Sequence, residues 1–181
     1  SPFVLMACSN DNTIIDRVIM INPQNMVALS KIPTKRTKTL KYLFSLPIVG
    51  TFVYNMTVNN RTIAQKFHDT YYYDHNKIDE KDIFTCFEAS HKDKTHSKYL
   101  YACKRSRFTN ANIMCCLSNL TNSIFIIVGN SNPENILSAN QYQNQLPSIE
   151  IVGIDESKQI PHVEKPDEFM EQVRIFFSEE E

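Results

Sequence analysis

Glycine is scarce in this sequence and tryptophan is absent: Gly50, Gly129 and Gly153 are the only three glycines in 181 residues. Loops that wrap their main chain around a phosphate, a dinucleotide or an oxyanion need residues without a Cβ at several points. The chain is short of such loops, and no cofactor is expected. No apolar run approaches the roughly 18 residues of a membrane span, and no basic-then-apolar leader opens the sequence. The five cysteines (Cys8, Cys86, Cys103, Cys115, Cys116) are odd in number, and none forms a CxxC pair. Neither a disulfide framework nor a thiolate metal site is indicated. Reduced, buried thiols in a cytoplasmic protein are the expected state. The N-x-S/T triplets at Asn55, Asn60 and Asn119 then carry no meaning, because glycosylation requires secretion.

Net charge of one sign is also lacking. The formal charge is −1, which supplies no field to gather nucleic acid or an anionic membrane, and neither is expected as a partner. The basic cluster Lys31, Lys35, Arg36, Lys38 and Lys41 lies beside Pro33 and reads as solvated surface. His91 and His96 are five apart, where a helical metal pair wants four, and no acidic third ligand is evident; no metal site is expected.

What is present suits a folded domain: 42% apolar and 22% charged residues in a chain long enough to bury a core. Pro2 to Cys8 is almost wholly apolar and reads as a buried helix with Ser1 as a cap. Ile14 to Ile21 is an apolar run that stops at Asn22-Pro23, as a strand covered on both faces would. Residues 30 to 120 show no strand. They hold short amphipathic helices over Lys38–Phe44, Thr62–Phe67, Asp79–Ser90, Ser97–Cys103 and Ala111–Leu120, with aromatics around Tyr71, Tyr72 and Tyr73. Those aromatics suit either a ligand pocket or plain packing.

Strand character returns at Ser123 to Gly129. A well-signalled helix follows, with Asn132 at the N-cap, Pro133 at the first helical position and Glu134 in the first turn. Ile136, Ala139 and Leu146 supply its apolar stripe. Ile149 to Ile154 is a third strand. The last helix opens at Pro166-Asp167-Glu168 and carries a stripe of Phe169, Met170, Val173, Phe176 and Phe177; the acidic tail Glu179 to Glu181 is expected to fray. Strands alternating with helices imply a parallel sheet.

That order, with SIFIIVGNSNPEN and then IPHVEKPDEFMEQVRIFF, resembles the α/β-hydrolase family over nearly the whole chain. The most specific piece is Pro161-His162-Val163-Glu164-Lys165-Pro166 ahead of an amphipathic helix. The resemblance implies the C-terminal portion of a mainly parallel sheet of about three strands: a core of residues 1–24 and 121–181, with residues 25–120 a helical lid that includes Leu46 to Asn55. It also implies three catalytic places. A serine belongs in a G-x-S-x-G turn, and no such motif occurs; the chain opens about where that turn would end. The place of the triad's acid falls on Asn132, within Gly129-Asn130-Ser131-Asn132-Pro133. The place of its base falls on Gln159, counted back from Pro166.

Both are changes of chemical kind. Asparagine cannot supply the charge that stabilises an imidazolium, and glutamine has no basic nitrogen to take a proton. His162 is the alternative base, although a histidine there suits the turn before the last helix better. Asp155 and Glu156 are loop acids that could substitute for the missing carboxylate. For Asn132, the helix cap is the favoured role.

The resemblance further implies that Ile14 to Ile21 pairs with a strand preceding it in sequence. An unpaired edge of that kind invites aggregation, so the chain is expected to be completed by an N-terminal half or by a partner chain. Two functions follow: hydrolysis of a small ester or related acyl substrate with the nucleophile outside this chain, or a catalytically inactive binding or scaffolding module that keeps the fold.

Overall fold

The computed structural model describes residues 2–93 and 96–178; the Ser1 cap and the acidic tail lie outside them. Three strands, β1 (Arg17–Ile21), β2 (Ser123–Gly129) and β3 (Glu150–Ile154), form one parallel sheet in the order β1-β2-β3. Arg17 is in register with Ser123, and Phe125 with Glu150. The central strand reads SIFIIVG because both of its faces are covered. Ile124, Ile126 and Val128 join a core built with Leu5 and Cys8 of α1 (Pro2–Asn10), Met26 and Leu29 of α2 (Met26–Leu29), Leu117 beyond them, and Ala139 and Tyr142 further on. Phe125 and Ile127 point the other way, onto Phe169, Val173 and Phe176 of the final helix. Alternation along one strand thus feeds two cores, and a parallel sheet covered on both faces is the result.

Two compact units divide the chain: Ser1–Ser30, Thr70–Lys77 and Ala111–Glu181 in one, Lys31–Asp69 and Ile78–Asn110 in the other. The second unit is helical: α3 (Lys35–Ser45), α4 (Pro47–Thr57), α5 (Asn60–Lys66), α6 (Glu80–Lys92) and α7 (His96–Arg105). Its core gathers Phe44, Tyr54 and Ala102, with Leu40, Val53 and Tyr101 against them. Thr34 and Asn59 close capping boxes at the starts of α3 and α5. Residues 25–30, 70–77 and 111–120 fold with the sheet-containing unit.

That sheet-containing unit also holds α8 (Met114–Ser118), α9 (Pro133–Gln145), α10 (Pro161–Glu164) and α11 (Pro166–Ser178). Several elements are shorter or narrower than the sequence suggests. The first strand begins at Arg17 rather than Ile14, because the Asn122 side chain takes up the carbonyls of Asn12 and Ile15 and Ile14 stays 68% exposed. The helix expected over Ala111–Leu120 is the five-residue α8.

On α9 the buried positions are Asn135, Ser138, Ala139 and Tyr142, while Ile136 faces outward. On α11 the packed set is Phe169, Val173 and Phe176; Met170 and Phe177 are exposed. On α9 the covered arc is shifted onto Asn135 and Ser138, and on α11 it is narrower than the apolar residues could fill. Phe177 is not idle, since the Arg17 guanidinium sits 5.7 Å from its ring and from that of Phe176. All five cysteines are free thiols, but only Cys8 is fully buried.

Candidate functional site

In an open parallel sheet the carboxyl ends of the strands are where ligands are met, and here those ends are sewn together by side chains. β1 ends at Ile21, and Asn22 follows with φ 42°, a left-handed conformation that asparagine tolerates better than most residues. Its amide lies between the other two strand ends. Oδ1 accepts from the Gly129 N–H at 3.0 Å, and Nδ2 donates to the carbonyls of Lys158 and Gln159 at 3.0 and 2.9 Å. Asn135, in the first turn of α9, adds Nδ2 donations to Gly129 and Lys158, both at 3.3 Å. The loops after β2 and β3 then touch directly: a Cβ on Gly129 would stand 1.9 Å from the Lys158 carbonyl oxygen. At this position the main chain leaves no room for any residue but glycine.

A second clamp holds the loop after β3. Glu164, the last residue of α10, is 1% exposed. Its Oε1 accepts from the N–H groups of Tyr73 and Asp74 at 2.6 and 3.4 Å, and Oε2 accepts from that of Lys158 at 2.8 Å. Lys77 Nζ donates to the Glu164 carbonyl at 2.6 Å. Three main-chain donors thus converge on one buried carboxyl group, and neither of its oxygens is left without a partner. The segment Tyr71–Asp74 is thereby fixed to the strand ends, with Tyr72 buried and Tyr73 half exposed.

Within this frame the candidates take separate places. Asn132 is half-buried and caps α9, its Oδ1 accepting from Glu134 N at 3.1 Å. Gln159 is held by its main chain: its N–H donates to the Tyr71 carbonyl at 3.2 Å and its carbonyl accepts from Asn22. Its side chain makes no hydrogen bond among the described residues. His162 is exposed on α10, its ring 5.8 Å from that of Phe169 and edge-on to it. The loop acids are engaged elsewhere. Asp155 accepts from Asn130 Nδ2 at 2.8 Å, and Glu156 pairs with Lys165 at 2.7 Å, which raises the lysine's pKa. No hydrogen bond joins any two of Asn132, Gln159 and His162. Asn132 and Gln159 offer neutral amides that can donate and accept but do not titrate near neutrality.

An open depression of about 690 Å³ adjoins the Glu164 clamp, lined by Tyr73, His75, Lys77, Glu156 and Lys165 among others. His91 and His96 do not converge: His91 Nδ1 lies 2.8 Å from Ser90 Oγ, while exposed His96 pairs with Asp93. Among the described residues no group of three or more His, Cys, Asp and Glu could hold a metal ion. Nor is any helix of the described residues long and apolar enough to cross a membrane.

Asn22 and Glu164 organise this region, and neither stood out as functional in the sequence. Asn22 reads there as a stop signal before Pro23. Its usable signal was an asparagine directly after a buried strand, where a left-handed residue turns the chain. Glu164 sits in the most specific run of the sequence, and nothing local marks it as buried.

Solved structures resemble the chain throughout its length. A meta-cleavage product hydrolase from Pseudomonas fluorescens IP01 superposes with a TM-score of 0.70 at 14% identity, over 99% of this chain and 62% of that one. The fold is that of the α/β-hydrolases. A 2-hydroxy-6-oxo-6-phenylhexa-2,4-dienoate hydrolase from a Rhodococcus species gives 0.68 at 12% identity, over 97% of this chain and 60% of that one. A carboxylesterase from the thaumarchaeon Nitrososphaera gargenis gives 0.61 at 18%, over 98% and 61%. The α/β-hydrolase-fold chain described here thus spans about three fifths of the length of these structures. No protein-family model and no curated protein matches its sequence.

Proposed function

We propose that this chain is the lid-bearing C-terminal part of an α/β-hydrolase-type protein that acts on a small ester or related acyl compound, with nucleophile and oxyanion donors outside the chain. The observation that supports this reading is the arrangement at the strand ends. Gly129 to Asn132 leads from β2 into α9, Gln159 follows β3, and Asn22 and Glu164 hold both loops at the edge where such enzymes place acid and base. In this reading Asn132 takes the acid's place and Gln159 the base's. Neither can move a proton, so hydrolysis needs a base from His162 or from outside the chain.

That last requirement favours a second reading, in which the fold persists as a binding or scaffolding module without turnover. One experiment separates the two. The full-length protein is treated with a fluorophosphonate probe, weighed intact, and assayed in parallel on p-nitrophenyl acyl esters. A stoichiometric adduct that abolishes turnover supports the hydrolase. No adduct and no turnover, with a short-chain acyl ester still bound in calorimetry, supports the module. Neither adduct, turnover nor binding sinks both.

A further inference from the structure

The formal charge of −1 conceals a segregation. The helical unit, residues 31–69 and 78–110, holds 14 lysines and arginines against 6 acids, a net +8; the rest of the chain holds 5 against 14, a net −9. Between Asp16 and Asp69 there is no acidic residue at all. The positive charge is concentrated on α3, where Lys35, Arg36 and Lys38 are exposed along with Tyr42, at 67%. Lys31 precedes this helix on the surface, and Lys41 lies over the Phe108 ring at 3.9 Å.

α4 follows at once, Leu46 being both the last cap of α3 and the first of α4. The two helices pack closely at Gly50, where a Cβ would lie 2.1 Å from the Phe44 carbonyl oxygen. α4 reads PIVGTFVYNMT, without one charged residue. Its inward side carries Gly50 and Tyr54. On its outward side Ile48 is 85% exposed, Phe52 64%, Met56 61% and Val49 45%. At 100° per residue these four fall in an arc about 100° wide. A globular surface usually breaks such a stripe with charge. Here the charges stand on the adjoining helix, and they are all of one sign.

A short helix with an exposed apolar stripe beside a cationic helix matches the requirements of an anionic bilayer surface: apolar side chains entering the headgroup layer, lysines and arginines attracted to its negative potential. We infer that the α3–α4 hairpin docks the protein onto anionic phospholipid membranes, lying on the surface without spanning it. This does not rest on the proposed hydrolase activity. It also reverses the expectation drawn from net charge alone, because a bilayer meets one unit's field within a Debye length rather than the sum over the chain.

The test is flotation of the full-length protein with phosphatidylcholine vesicles, with and without about one third phosphatidylglycerol. Binding is expected with the anionic vesicles only, falling at least about tenfold in roughly 0.5 M salt. Phe52→Ser with Ile48→Ser should weaken it at least about tenfold, and Lys35→Gln with Lys38→Gln by a similar factor, with far-ultraviolet circular dichroism unchanged. These residues are exposed, so the variants should fold. Absence of binding overturns the inference, as does equal binding to neutral vesicles. Two further results overturn it as well: a salt-sensitive association with RNA or heparin that ignores the serine substitutions, and a dimer that those substitutions dissolve while vesicles are not bound.

Discussion

Asn22 is the residue whose loss should damage the strand ends most for the fewest atoms removed. Replacing it with alanine deletes an acceptor for Gly129 N–H and a donor shared by the carbonyls of Lys158 and Gln159. Each such bond contributes about 1 kcal/mol net, and a group left buried without water costs up to about 3. Lys158 keeps Asn135 as a donor, so the three losses together should amount to about 3 kcal/mol. Alanine must also hold φ near 42°, which adds about 1 kcal/mol. The expected total is about 4 kcal/mol, a large share of a typical domain's stability.

Urea denaturation of the full-length protein, followed by far-ultraviolet circular dichroism, measures it. Asn22→Gly should cost about 1 kcal/mol less than Asn22→Ala, since glycine relieves the backbone but restores no hydrogen bond. Asn22→Asp should be no milder than alanine, because a carboxylate keeps the bond to Gly129 but presents oxygen to two carbonyls. An alanine variant within about 1 kcal/mol of wild type would refute the reasoning, since it would mean the amide holds nothing that water cannot.

Other perturbations follow from the same geometry. Glu164→Gln turns an NH2 toward main-chain donors that now share a carboxylate, and should lower stability by about 2–4 kcal/mol in the same assay. Gly129→Ala would press a methyl against the Lys158 carbonyl and should cost about 3 kcal/mol or prevent folding, whereas Gly153→Ala meets only the movable Asn130 side chain and should be milder. Burial pushes the Tyr142 hydroxyl up to about 12. Its folded value thus exceeds that of the unfolded chain, about 10, so its contribution is complete below pH 10 and lost as pH rises from about 10 to 12. Spectroscopic titration of wild type and Tyr142→Phe should differ by one late-ionising tyrosine; an early one would contradict the burial.

The sequence showed the sheet well because the physics there is local. SIFIIVG can only be a strand covered on both sides, and Asn132-Pro133-Glu134 marks a helix start that the structure reproduces at Asn132. Edges were less legible. Whether Ile14 extends a strand depends on the Asn122 side chain, over a hundred residues away, capturing the Ile15 carbonyl. The apolar stripe of α11 is wider than its packed face, because periodicity reports which residues could face a core, not how broad that core is; Met170 and Phe177 lie outside it. At the candidate site, residue types were readable and their chemistry clear. The clamps made by Asn22 and Glu164 were not, because each joins segments distant in sequence, and no local pattern encodes a hydrogen bond to a main chain 90 or more residues away.

The most direct measurement of the central claim, that Asn132 and Gln159 stand where a triad would keep its acid and base, is a gain-of-function assay. The full-length protein carrying Gln159→His and Asn132→Asp is compared with wild type on p-nitrophenyl acyl esters, with His162→Ala as a third variant. The account predicts that the double variant rises by about 10² or more in kcat, with an activity pH profile showing a new group near the histidine range, and that His162→Ala leaves wild-type turnover unchanged. A double variant no faster than wild type, with activity lost in His162→Ala, would contradict it and move the base to α10.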